Sequence, residues 1–196
     1  MLTVITGPMF SGKSSKLISM AMAHVIAGHH VVAYKPVKDL RYPDDETNIS
    51  THTGHLFPAR PINSQLADEI PLYISNYQRK TETNIDVVII DEAQFMDPDG
   101  LIQSVDWMLY EVGKTIIVSG LSQDSNGKPF GAMPHLLAIA DDIIHLKSVC
   151  AKSKKIGAAT RTYRKDKMNT NQVAVGGSEL YEPRSFETWL MERKQI

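Results

Sequence analysis

Apolar residues along the chain fall into short unbroken runs rather than alternating with polar ones. Leu2 to Thr6, Val31-Val32-Ala33-Tyr34, Val87-Val88-Ile89-Ile90 and Thr115-Ile116-Ile117-Val118 are the clearest, and Asp142 to Leu146 predicts a further strand of the same kind. A strand buried on one face alternates; an unbroken run implies that both faces are covered, the condition of a parallel sheet between helices. Helical texture lies between the runs. Lys13 to Ala27 is rich in Ala, Met, Leu and Ile and is stopped by Gly28, while Gly100 to Val112 and Pro134 to Ala140 are helix-like. The opening elements read strand, glycine-containing turn, helix, strand, which is one βαβ unit. The expected class is α/β, a parallel sheet flanked by helices.

Two segments break the pattern. Pro36 to Pro61 carries Pro, Asp, Asn, Thr and His with little periodic apolar signal, and predicts a long irregular loop of the kind that serves function. After Lys147 the texture changes again: Arg161 to Asn171 is polar and basic, Val173 to Val175 leads into Gly176-Gly177, and a short helix is expected over Ser185 to Lys194. The expected organisation is a main domain over 1–147 and a small appendage of loops and a hairpin over 148–196.

Composition narrows the function classes. With 196 residues, 42% hydrophobic and 22% charged, the chain has the balance of a globular protein and not of a disordered or fibrous one. The formal net charge is −1, with 21 basic and 22 acidic residues, so no broad basic field exists to hold nucleic acid, and no nucleic-acid partner is expected. No run is long and apolar enough to span a bilayer, and Met1 leads straight into a strand-like segment without a signal-peptide pattern; the expected location is cytoplasmic, with no membrane partner. Cys150 is the single cysteine, which excludes an intrachain disulfide.

The strongest chemical signal is Gly7-Pro8-Met9-Phe10-Ser11-Gly12-Lys13-Ser14, two glycines five apart followed by Lys and Ser between a strand and a helix. This is the phosphate-binding loop pattern. Its glycines let consecutive backbone N–H groups point into one concavity, the helix adds its positive end, the Lys reaches the terminal phosphates, and the Ser hydroxyl is a ligand for Mg²⁺. A second signal ends the Val87 to Ile90 run in Asp91-Glu92. Asp91 is placed to hold Mg²⁺ or its waters, and Glu92 to take a proton from an attacking hydroxyl or water. Arg41 in the irregular loop is a candidate for neutralising a transferring phosphoryl group. His52 and His55, three apart without a third ligand, read as polar loop residues rather than as a zinc site.

Taken together these motifs resemble the cytosolic thymidine kinases that carry a zinc-bound lasso loop. The phosphate loop nearly reproduces that family's signature. Asp91-Glu92-Ala93-Gln94-Phe95, Lys38-Asp39-Leu40-Arg41-Tyr42, Gly120-Leu121 with Lys128-Pro129-Phe130-Gly131, and Val175-Gly176-Gly177-Ser178-Glu179-Leu180-Tyr181 are similar to its further motifs, in family order from residue 4 to about 190. The resemblance implies a P-loop, RecA-like parallel sheet with a C-terminal lasso subdomain, a homotetramer, and transfer of phosphate from ATP to thymidine with Mg²⁺. It implies Glu92 as the catalytic base. It implies Gly7, Pro8, Met9, Phe10, Ser11, Gly12, Lys13 and Ser14, with Asp39, Arg41, Asp91, Glu92, Ala93 and Gln94, on the ATP side. Mg²⁺ would be held through Ser14 and Asp91. Around the thymine it implies Met9, Phe95, Leu121, Ser125, Thr160, Gln172, Val173, Ala174, Val175, Gly176 and Tyr181.

Two departures stand out. The family's two zinc-binding cysteine pairs correspond to Cys150 with Ser153 and Ser185 with Thr188, and one thiol with three hydroxyls is no zinc site. No zinc is expected, and packing of Phe186, Trp189 and Leu190 is expected to hold the lasso instead. Ser125 stands where the family often has an aromatic residue. The alternatives to a nucleoside kinase are a P-loop ATPase or nucleotide switch acting on a partner protein, with Glu92 activating water, and a catalytically decayed relative. The lasso-like segment argues against the first, and the retained Lys13, Ser14, Arg41, Asp91 and Glu92 against the second.

Overall fold

The computed structural model describes residues 1–37, 47–51, 53–166, 172 and 176–193. Six strands form one sheet: β1 (Leu2–Thr6), β2 (Val31–Pro36), β5 (Arg60–Ile62), β6 (Val87–Ile90), β7 (Thr115–Gly120) and β8 (Asp142–His145), in the order β5-β2-β6-β7-β1-β8. Every pairing within it is parallel. Strand β7 lies between the phosphate-loop strand β1 and the acidic strand β6.

The unbroken apolar runs are explained by two cores, one on each face. Leu2, Val4, Val88, Ile90, Ile116 and Val118 point into one, where α2 (Ile70–Thr81) supplies Ile70 and Ile74, α3 (Pro98–Asp106) supplies Leu101 and Val105, and α4 (Met133–Ile139) supplies Leu136. Ile5, Val87, Ile89 and Ile117 point into the other, against Leu17, Ile18 and Ala21 of α1 (Lys13–Ile26). Successive residues of a strand face opposite sides, so both sets must be apolar when both sides are covered.

The Pro36 to Pro61 segment is more regular than the sequence suggests. Its described part contains an antiparallel hairpin of β3 (Asn48–Ser50) and β4 (Leu56–Pro58), whose Ile49 and Phe57 join the α1 core. Edge strand β5 follows immediately; Pro61 is tolerated there because an edge position leaves one side of the backbone without a ladder to complete. Helix α2 also lacks a clear sequence signal. It fully buries only Ile70 and Ile74, one turn apart, and leaves Leu72 and Tyr77 exposed.

Beyond β8 no described residue joins the main sheet. Strands β9 (Arg161–Arg164) and β10 (Tyr181–Arg184) pair antiparallel, and α5 (Phe186–Arg193) follows. Among the described residues no helix is long and apolar enough to cross a membrane.

Candidate active site

The loop from Gly7 to Gly12 joins β1 to α1, and its geometry accounts for its glycines. At Gly7, φ is +152°, and a Cβ there would lie 2.4 Å from the Leu146 carbonyl oxygen. Gly12, with φ +84°, sits in the left-handed region just before α1. Phe10 also has positive φ, at +62°, a conformation that costs a residue with a side chain on the order of 1 kcal/mol or more and clusters at functional turns. Lys13 is buried, and its Nζ donates to the Pro8 carbonyl at 3.0 Å, which keeps the ammonium within the loop. Ser11 Oγ is buried without a hydrogen-bond partner. A buried hydroxyl left unsatisfied is costly, and an anion in the loop would relieve it.

Strand β6 delivers Asp91 to this loop. Ser14 Oγ donates to Asp91 Oδ2 at 3.1 Å, and Ser119 Oγ, from the end of the intervening strand β7, donates to Asp91 Oδ1. The Glu92 N–H donates to the same Oδ1 at 3.0 Å. Burial, and then the charge of Glu92, push the Asp91 carboxyl above the ordinary carboxylate range, partly offset by these hydrogen bonds. A buried carboxylate beside a hydroxyl is the hard oxygen set that suits Mg²⁺, and a cation there would reverse the shift.

Glu92 opens the turn that leaves β6. Its backbone is left-handed (φ +52°, ψ +39°), and a 3-10 turn over Ala93–Phe95 follows. The side chain is buried, and Gln94 Nε2 donates to Glu92 Oε2 at 2.5 Å. The other end of the Gln94 amide accepts the Leu121 N–H at 2.9 Å. Ala93 is buried in the core behind the turn, so it supports the site without presenting a polar group.

The residues expected around the base are distributed along the chain from the phosphate loop to β10. The Met9 N–H donates to Thr162 Oγ1 on β9 at 3.0 Å. Phe95 is half-buried and meets Phe130 edge-on, with ring centres 5.6 Å apart. Leu121 is buried next to Gln94, and Tyr181 is buried at the start of β10. The Thr160 N–H donates to the Arg184 carbonyl at 3.0 Å, continuing the β9–β10 pairing. Ser125 offers its backbone rather than its side chain: its carbonyl accepts the Trp189 indole N–H at 3.0 Å. Gln172 Nε2 donates to the buried Asp124 Oδ2 at 3.0 Å, and Gly176 precedes the turn into β10. Asp39, Arg41, His52, Val173, Ala174 and Val175 lie outside the described residues.

Sequence reading missed three supports of this site. Ser119 holds Asp91, Thr162 holds the phosphate loop, and Ser148 Oγ donates to the Phe10 carbonyl at 2.8 Å. Ser119 carried a weak signal as the polar residue that ends an apolar strand, whereas the other two are ordinary hydroxyls until folding brings them to the loop.

The four positions that correspond to the family's zinc-binding cysteines come together. Cys150 is fully buried, its Sγ accepts the N–H groups of Ser185 at 3.3 Å and Ser153 at 3.4 Å, and Thr188 Oγ1 lies 3.4 Å away. Ser185 Oγ and Thr188 Oγ1 are 3.2 Å apart. Burial opposes ionisation of the thiol, but the hydrogen bonds from Ser153, Thr188 and the Ser185 N–H outweigh it and bring it down to about 6. Among the described residues no three His, Cys, Asp or Glu side chains are grouped to hold a metal. Trp189 is buried as expected, whereas Phe186 is 46% exposed and stacks on Trp189 from outside. A hydrogen-bonded knot therefore joins α5 to the Cys150 turn, where apolar packing alone was expected.

Comparison with known proteins follows the same lines. A sequence model of the family described as thymidine kinase matches residues 1–189. A thymidine kinase of Bacteroides thetaiotaomicron is 38% identical over 191 residues, covering 97% of this chain and 87% of that protein. One from onion yellows phytoplasma is 40% identical over 186 residues, covering 92% and 82%. One from Mycoplasma genitalium is 38% identical over 182 residues, covering 92% and 79%. With its phosphate loop, its Asp91-Glu92 strand end and a match running nearly its whole length, the chain belongs to the thymidine kinase family.

Proposed function

We propose that this protein transfers the γ-phosphoryl group of ATP to the 5′-hydroxyl of thymidine, giving dTMP and ADP in nucleotide salvage. The observation that carries the reading is the buried Glu92, next in sequence to the Ser14–Asp91 pair that closes the phosphate loop. Glu92 takes the proton of the 5′-hydroxyl. The 5′-oxygen then bonds to the γ-phosphorus as the bond to the β–γ bridging oxygen breaks, and ADP leaves with that electron pair. Lys13 and the N–H groups of the loop and of α1 stabilise the charge on the β- and γ-phosphates. Ser14 and Asp91 would hold Mg²⁺, which supplies further charge neutralisation on the phosphates. Arg41 and Asp39 are assigned to the phosphate side, and Met9, Phe95, Leu121, Thr160, Tyr181 and the segment from Gln172 to Gly176 to the nucleoside side, by their positions in the family motifs. The same resemblance supports a catalytic domain over 1–147, a lasso over 148–196, and a homotetramer working in the cytoplasm.

The test is ATP consumption with Mg²⁺ across a panel of nucleosides. Turnover is expected with thymidine and not without a nucleoside; deoxycytidine and deoxyadenosine are expected to be poor substrates, because a site built on hydrogen bonds to one base rejects those that cannot make them. Nucleoside-independent hydrolysis would assign the chain to ATPases that act on a partner, and efficient use of deoxycytidine would assign it to broad-range kinases.

A further inference from the structure

We propose that Gln94 is a positioning residue for phosphoryl transfer: its amide fixes the Glu92 carboxylate and ties it to the segment that begins at Leu121. The inference rests on the assignment of Glu92 as the base and adds a residue that acts through it.

The geometry leaves the amide one orientation. A backbone N–H can only donate, so the group 2.9 Å from the Leu121 nitrogen must be the amide oxygen. The amide nitrogen is then the end that meets Glu92 Oε2, where it donates. Both side chains are buried, Gln94 at 2% exposure and Glu92 at 8%, so water competes little for either bond. The surroundings are close on both sides. A Cβ at Gly120 would lie 2.6 Å from Met133 Sδ and 2.7 Å from Gln94 Oε1, and one at Gly131 would meet the main chain of residue 94, 2.6 Å from its carbonyl oxygen.

The need for such a prop follows from the turn itself. Glu92 leaves β6 with a left-handed backbone, so its carboxylate direction is set by a strained turn rather than by regular structure. Gln94, two residues on, pins that carboxylate by one oxygen. Its other end is fixed to the residue after β7, which the family motifs put on the nucleoside side. A shift of Leu121 is thereby transmitted to the base. Misplacement of a reacting group by about 1 Å can cost ~10²-fold in rate, which sets the scale of the effect.

The test is a double-mutant cycle on the full chain with ATP, Mg²⁺ and thymidine. Gln94→Met keeps the length of the side chain and removes both hydrogen bonds; it is expected to lower kcat by ~10- to 100-fold, with KM for both substrates changed by less than about threefold. In the Glu92→Gln background the same change is expected to cost less than about threefold, because a residue acting through Glu92 has nothing left to act on. Equal losses in both backgrounds would mean a structural role and overturn the proposal. Gln94→Leu likewise removes both hydrogen bonds and is expected to reproduce the fall in kcat; it carries the test if Gln94→Met does not fold. Parental kcat in whichever of these two variants folds overturns the proposal while leaving Glu92 as the base. Parental rate in Glu92→Gln alone overturns the base assignment, and the positioning role with it.

Discussion

The backbone N–H of Met9 donates to Thr162 Oγ1 at 3.0 Å, across 153 residues of sequence. The phosphate loop is thereby fastened to the C-terminal hairpin, and Ser148 fastens it a second time through the Phe10 carbonyl. Two side-chain hydroxyls thus tie the phosphate-loop motif to residues that follow the main sheet. Thr162→Val keeps the shape of a buried side chain and leaves the Met9 N–H unpaired, at a cost of roughly 1–3 kcal/mol. The expected outcome is a several-fold rise in KM for ATP and a lower melting temperature, read by steady-state kinetics and thermal denaturation. Unchanged values for both would show that the bond does not hold the loop.

Lys13→Ala and Glu92→Gln are expected to fail differently. Lys13 is buried in the phosphate loop, so its loss weakens ATP binding and turnover together. Glu92→Gln is expected to bind both substrates and to lose ~10²- to 10⁴-fold in kcat, the range for removing a general base. Calorimetric binding of an ATP analogue separates the two.

Asp91→Asn is expected to abolish activity and yet stabilise the protein in the presence of a chelator. Burial raises the folded carboxyl above its unfolded value, with the Glu92 charge adding to the effect. For a raised pKa the associated stability is fully present below the unfolded value, near 4, and is lost as pH rises through the folded one. Asparagine removes the buried charge. Its melting temperature is expected to exceed the parent's by a few degrees at pH 8 and to show no advantage at pH 4. A lower melting temperature at pH 8 would contradict this reading of Asp91.

The Cys150 knot is expected to need no metal. Elemental analysis of protein purified without chelators is expected to find no zinc. Cys150→Leu, which cannot accept the Ser153 and Ser185 N–H groups, is expected to lower the melting temperature by several degrees and raise KM for thymidine. One zinc per chain, removable only with loss of activity, would overturn this.

Much of the fold was legible because its signals are local. The runs in β1, β2, β6 and β7 are apolar on both faces, and nothing beyond neighbouring residues is needed to read that. The phosphate loop is legible for the same reason, since its glycines, Lys13 and Ser14 are consecutive in sequence and in space. Helix α2 and strand β5 escaped because their commitments are tertiary. Ile70 and Ile74 make too narrow a stripe to announce a helix, and Pro61 argues against a strand until the edge position that tolerates it is known.

Read along the chain, the residues give the loop that carries the phosphate-binding pattern, the strand that ends in Asp91-Glu92, and a Cys150 without cysteine partners. How those groups are held depends on folding. Ser119, Thr162, Ser148 and Gln94 are side chains of common type whose roles depend on partners 2 to 153 residues away. A hydrogen bond is fixed by distances of a few tenths of an ångström between specific atoms. Sequence spacing constrains such distances within a turn or along a strand, and leaves them open between elements until the sheet order and the helix packing are set.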